Sequence, residues 1–144
     1  MTDSNVPAIV GDGEVAQKPP CFPDPLICEK VENDKWKLHH RYRFIRLRNG
    51  VEETICVPKN YVTDFASVPA LFWTIVPKDG QYDGAAVIHD YLYGLRGADL
   101  KPARTRAECD WIFLDGMAVL GVPYWKRYLM WSAVRLCGSG PWNT

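Results

Sequence analysis

No charge of either sign dominates this sequence: 17 Lys and Arg stand against 17 Asp and Glu in 144 residues. A chain without excess charge has no global pull toward nucleic acid or anionic membrane, so either role would need a local patch. The five cysteines, Cys21, Cys28, Cys56, Cys109 and Cys137, are odd in number and form no CxxC pair or finger-like spacing. They read as reduced thiols of an intracellular protein, with Cys109 and Cys137 serving as small hydrophobes on helices. Cys21 and Cys28 with His39 and His40 fit no established metal spacing, and no HExxH pair occurs. The chain opens without a basic segment followed by an apolar run, so a signal peptide is not expected. No apolar stretch approaches the roughly 20 residues that a membrane helix needs.

Aromatic side chains, by contrast, are plentiful: six Trp, seven Tyr and five Phe, within an apolar fraction of 47%. That is ample for one core at this length. The first 25 residues hold five prolines, two glycines and no sustained period. Residues 1–27 therefore read as an extended arm that does not bury enough apolar surface to order itself and calls for a partner. Residues 28–144 read as a single α+β domain.

Within it, Lys35 to Leu47 alternates strictly. Trp36, Leu38, His40, Tyr42 and Phe44 point one way, and Lys35, Lys37, His39, Arg41 and Arg43 the other. This predicts one half-buried strand with a basic outer face. Asn49-Gly50 predicts a hairpin turn, Val51 to Val57 the return strand, and Tyr61 to Thr63 a short third strand. Glu52 and Glu53 can pair with the basic face, a simpler role for it than binding phosphates. After Asp64 the pattern is helical. A short apolar helix is expected after Pro69. A second runs from an Asp83 cap to Leu95, and a third from a Thr105–Glu108 capping box to about Leu120. The fourth lies between Pro123 and Gly138. The expected fold is an antiparallel hairpin or small sheet packed against about four C-terminal helices, preceded by the irregular arm.

Polar residues interrupt these apolar helices at few places. His89 and Asp90 sit side by side on a helix that is otherwise apolar on nearly every side, about 100° apart on the wheel. Asp110 lies in line with Phe113, Leu114 and Met117. Asp64, followed by Ser67, stands where strand gives way to helix. Burial of such groups requires partners. Two readings compete. In one, Asp64, His89 and Asp110 hold a divalent metal such as zinc with an open position for substrate. Asp90 or Ser67 then orients a ligand, and His89, Asp90 and Ser67 are the candidate catalytic residues. In the other, the same groups satisfy one another and fix the packing. On the last helix Tyr124, Trp125, Tyr128 and Trp131 point in too many directions for one small core. Some of them suit an exposed interface patch.

Residues 57–69 (VPKNYVTDFASVP), 85–93 (AAVIHDYLY) and 105–113 (TRAECDWIF) resemble the motifs of a small domain family of unknown function, widespread in tailed bacteriophages and prophages. Gly121-Val122-Pro123 and Trp125 resemble the start of its final helix, so the resemblance runs from about residue 51 to 138. It implies a phage or prophage origin and no particular reaction. Its polar motif positions are Asp64, Ser67, His89, Asp90 and Asp110. The resulting expectation is a virion-associated minor structural protein of tail, neck or capsid surface, located in the virion or the host cytoplasm. Its partners would be other virion proteins, held through the arm and the aromatic last helix. The alternative is a small metal-dependent hydrolase acting on cell-wall peptide or amide bonds.

Overall fold

In a computed structural model, the described residues are 9–10, 14–15, 18–63, 82–95, 104–139 and 142. Seven strands precede three α-helices among them: β1 Ile9–Val10, β2 Glu14–Val15, β3 Cys28–Val31, β4 Lys35–Leu38, β5 Tyr42–Arg48, β6 Val51–Val57, β7 Val62–Thr63, then α1 Asp83–Gly94, α2 Arg106–Val119 and α3 Tyr124–Cys137. The chain is thus α+β, with three described helices where about four were expected. The expected helix after Pro69 falls outside the described residues.

The strands form three small antiparallel ladders: β1–β2, β3–β4–β7 and β5–β6. The Asn-Gly signal is met by a two-residue turn. Asn49 (φ 51°) and Gly50 (φ 79°) both adopt the left-handed backbone that this turn requires, and Arg48 pairs with Val51 across it. The single strand expected from Lys35 to Leu47 is two strands. The chain bends at His39 and His40, so β4 pairs with β3 and β7 while β5 pairs with β6. Alternation survives the bend because Leu38, Tyr42 and Phe44 all remain buried; Trp36 and His40 are exposed. Side-chain periodicity reports which face meets the core and carries no information about which strand supplies the next hydrogen bonds.

Part of the segment read as an arm is tied to the domain. Cys21 exchanges backbone hydrogen bonds with Ile45 on the outer edge of β5, at 2.9 and 3.0 Å. Phe22 stacks on Phe44 and Tyr42, with ring centroids 4.5 and 5.4 Å apart. Asp24 grips Arg43 through both carboxylate oxygens, each at 2.9 Å.

The helices begin and end for local reasons. Thr105 accepts a hydrogen bond from the Glu108 amide at 3.1 Å, forming half of the expected capping box. The Glu108 side chain does not complete it and instead meets Arg48 at 3.0 Å. Asp83 is the first helical residue of α1 rather than its cap, and Tyr82 holds the cap position. At the end of α2, Gly121 (φ 82°) turns the chain back. Its amide reaches the Ala118 carbonyl at 3.1 Å and the Val122 amide reaches Met117 at 3.0 Å, the double closure of a Schellman motif. Cys137, expected among apolar neighbours, is exposed at the last turn of α3, whereas Cys109 is fully buried.

α2 is the middle helix, packed against α1 on one side and α3 on the other, while α1 also lies on β6 and β7. One core joins Leu38, Phe44 and Val57 of the strands to Ile88 and Leu92 of α1 and Ile112 of α2. A second joins Ala86 of α1 and Phe113 and Met117 of α2 to Met130 and Val134 of α3. Replacing Phe22 by Ala should cost about 2 kcal/mol, since it removes an aromatic ring from a partly covered seat on the core. Urea denaturation measures this, and an unchanged midpoint would show that the Phe22 ring contributes nothing to the domain.

Candidate functional site

Asp110 is the convergence point of the polar residues in the helices. Its side chain and that of His89 are both 0% exposed. The Asp110 Oδ1 accepts from His89 Nε2 at 2.7 Å and from the Tyr93 hydroxyl at 2.5 Å, while Oδ2 accepts from Arg135 Nη1 at 2.8 Å. Facing a carboxylate, the Nε2 position must carry the ring proton to make a bond. His89 and Tyr93 are one helical turn apart on α1, Asp110 is on α2 and Arg135 is in the last turn of α3, so one carboxylate ties three helices together. The His89 ring also lies against Tyr93 and Phe113, with centroids at 4.2 and 4.7 Å.

Burial pushes the Asp110 carboxyl toward protonation, but the hydrogen bonds from His89, Tyr93 and Arg135 outweigh it and hold the group below the ordinary carboxylate range. Burial, reinforced by the same carboxylate, raises the Tyr93 phenol well above its usual value. Next to this cluster, burial pushes the Cys109 thiol up to about 12, so it is not an available nucleophile. Arg106 steadies the far end by donating to the carbonyls of Val134 and Arg135, at 3.2 and 3.1 Å.

His89 and Asp90 turn to different neighbours, as their spacing on the wheel requires. Asp90 faces the sheet, where its Oδ2 accepts from Thr63 Oγ1 at 2.6 Å and from the Tyr61 hydroxyl at 3.1 Å. The adjacent polar pair thus fastens α1 to α2 on one side and to β7 on the other. Asp64 and Ser67 fall outside the described residues, so of the expected metal set only His89 and Asp110 are seen together. Among the described residues no group of three His, Cys, Asp or Glu side chains is placed to hold a metal ion. A groove of about 300 Å³ runs between β5 and the end of α2, past Phe44, Arg46 and Asp115. No residue of the Asp110 cluster lines it.

The chain belongs to the DUF1353 family of proteins of unknown function. The family profile matches residues 36–134, from β4 through most of α3. A relative, the uncharacterized protein y4jT of Sinorhizobium fredii (strain NBRC 101917 / NGR234), is 38% identical over 84 residues, which is 57% of this chain and 23% of the relative. The chain therefore spans less than a quarter of that relative's length. No solved structure matches. The DUF1353 match extends beyond the resemblance drawn from the motifs, because it takes in β4 and β5.

Two members of the Asp110 cluster escaped the sequence reading. Tyr93 was legible in principle, being four residues after His89 on the same face. Arg135 was not, since nothing local connects a basic residue near a helix end with an acid 25 residues earlier. The basic face of the sheet meets other carboxylates than the expected Glu52 and Glu53: Lys37 reaches Glu29 at 3.1 Å and Arg43 reaches Asp24 at 2.9 Å, whereas Glu53 is held by Arg46, of the opposite parity, at 2.7 Å and by Arg104 at 2.6 Å.

Asp110→Asn should cost about 3–5 kcal/mol at neutral pH, because it removes the charge that the buried donors were arranged around. Asp110, Asp24 and Glu53 all have folded-state values held below their ordinary ones. Their stabilisation is complete above the ordinary carboxylate range and fades as pH falls through the depressed values. Urea midpoints should therefore fall for the wild type below about pH 4, and the gap between wild type and Asp110→Asn should narrow there. A gap independent of pH would contradict an ionised Asp110.

Proposed function

We propose that this protein is a bacteriophage virion-associated minor structural component, of tail, neck or capsid surface, that docks on partner subunits. Its Asp110 cluster is then an internal brace. The observation that carries this reading is the enclosure of His89 and Asp110, each 0% exposed, with both carboxylate oxygens of Asp110 engaged. A catalytic acid or base must reach its substrate within hydrogen-bonding distance, and this pair is walled off by its own helices. The guanidinium of Arg135 occupies the position on Oδ2 that a cation would need. The phage assignment rests on the motif resemblance. The docking assignment rests on the exposed aromatic residues of α3, Tyr124 and Trp125.

A second reading keeps one supporting observation, the direct approach of His89 to Asp110. In that reading Asp64, His89 and Asp110 hold zinc in a hydrolase of wall peptide or amide bonds. The two are separated by mass spectrometry of particles purified from the host that carries this gene, together with thermal melting of the isolated protein with chelator and with zinc. The structural reading expects peptides of this chain in the particles and a melting temperature indifferent to chelator and zinc. Absence from the particles, with zinc raising the melting temperature and His89→Ala abolishing that rise, would overturn it.

A further inference from the structure

The β5–β6 hairpin has two outer edges, and only one of them is covered. Arg48 and Val51 pair across the two-residue turn, so inward hydrogen bonding alternates from there, through Glu53, Ile55 and Val57 of β6. The residues between these turn their N–H and C=O groups outward. On β5 the outward groups are met by the chain itself: Ile45 exchanges hydrogen bonds with Cys21, and the Arg43 amide donates to Asp24 at 3.1 Å. On β6 they belong to Glu52, Thr54 and Cys56. No described residue bonds to these backbone groups, and all three residues are exposed.

β6 is seven residues long and in unbroken register with β5. Its sequence, Val51 to Val57, has no Pro, Lys or Arg, and its pairing has no bulge, so it lacks the usual devices that keep an edge from adding a strand. Glu53 points to the core side, where Arg46 and Arg104 hold it, and Glu52 stands at one end of the edge.

We propose that β6 is a dimerisation edge, which pairs antiparallel with β6 of a second copy of this chain, Thr54 lying on the two-fold axis. The proposal goes beyond the docking reading above and does not rest on it.

Self-complementarity decides the partner. With Thr54 on the axis, it faces Thr54 of the second copy, and Glu52 faces Cys56 in both directions. Every outward N–H and C=O of the three residues is then bonded, β-branched side chains meet at the centre, and no like charges are opposed. Moving the axis toward the turn sets Glu53 opposite Glu53, or Glu52 opposite Glu52, and carries Cys56 past the end of the strand. Moving it the other way sets Glu52 opposite Pro58, which has no N–H to donate. A foreign strand would have to match this pattern, whereas a second copy matches it already. The contact is the same patch on both copies, so it closes as a dimer and does not propagate.

Sedimentation velocity of the full chain tests this. An edge contact buries less surface than a standard interface, so the wild type should pass from monomer to dimer within the micromolar range. Thr54→Lys opposes two like charges on the axis, and Thr54→Pro removes an outward N–H that the hairpin itself does not use. Each should weaken the dimer about tenfold or more. Both are checked for folding by circular dichroism, and Thr54→Lys decides the matter if Thr54→Pro is unfolded. With the exposed Cys56 and Cys137 replaced by Ser, Thr54→Cys should oxidise to a disulfide-linked dimer. The α-carbons of such a pair lie about 5.5 Å apart, within a disulfide's span. A wild type that stays monomeric, an assembly larger than a dimer, a dimer indifferent to both Thr54 variants, or no cross-link would overturn the proposal. So would a monomer that binds displayed extended peptides until Thr54→Pro abolishes the binding, since that assigns the edge to a foreign strand. Presence in virions is read on particles and not on the isolated chain, so either result leaves the other standing.

Discussion

A carboxylate with no access to water has to be surrounded by donors, and Asp110 draws its donors from both helices that flank its own. His89 and Tyr93 come from α1, and Arg135 from α3. An ion of this kind buried alone would cost several kcal/mol, so the three donors are a condition of folding rather than an addition to it. Total stability for a domain is only about 5–15 kcal/mol. The geometry at one side chain therefore decides whether α1 and α3 can both lie against α2. A hydrophobic residue at this position would tolerate small rotations of either helix, while a carboxylate with fixed donors does not.

The consequence reaches the surface. Trp111 directly follows Asp110, and Trp131 lies one turn before Arg135. The bond that draws Arg135 to α2 thus also sets Trp111 against Trp131. On the other side, Asp90 carries the same alignment to β7 through Thr63 and Tyr61. A run of polar contacts passes from the sheet through α1 and α2 to α3, and the Trp111–Trp131 pair stands at its end. In this account His89, Asp90 and Asp110 specify a rigid frame that joins the three helices to the sheet.

Much of this was legible in the sequence because it follows from local rules. The Asn49-Gly50 turn, the Thr105 cap, the Gly121 stop and the burial of His89 and Asp110 each depend on residues within one or two turns of chain. What escaped depends on distant pairings. The break at His39 and His40 is invisible to alternation, because both halves bury the same parity of residues. β3 is four residues of mixed character, Cys28 to Val31, and exists because β4 offers it an edge. The seat of Phe22 on Phe44 could not be read from a proline-rich segment, whose composition describes its freedom in isolation and not the surface that receives it. Arg135 looked like an ordinary basic residue near a helix C-terminus until Asp110 was placed beside it.

The account requires that α1 and α3 be energetically coupled through one carboxylate. A double-mutant cycle between His89 and Arg135, using His89→Ala, Arg135→Met and the pair, measures this by urea denaturation. Both residues donate to Asp110, so the losses should be strongly non-additive, with a coupling of about 1 kcal/mol or more. Losses that add to within about 0.3 kcal/mol would mean that the two contacts are independent, and the Asp110 brace would not be the organising element of this fold.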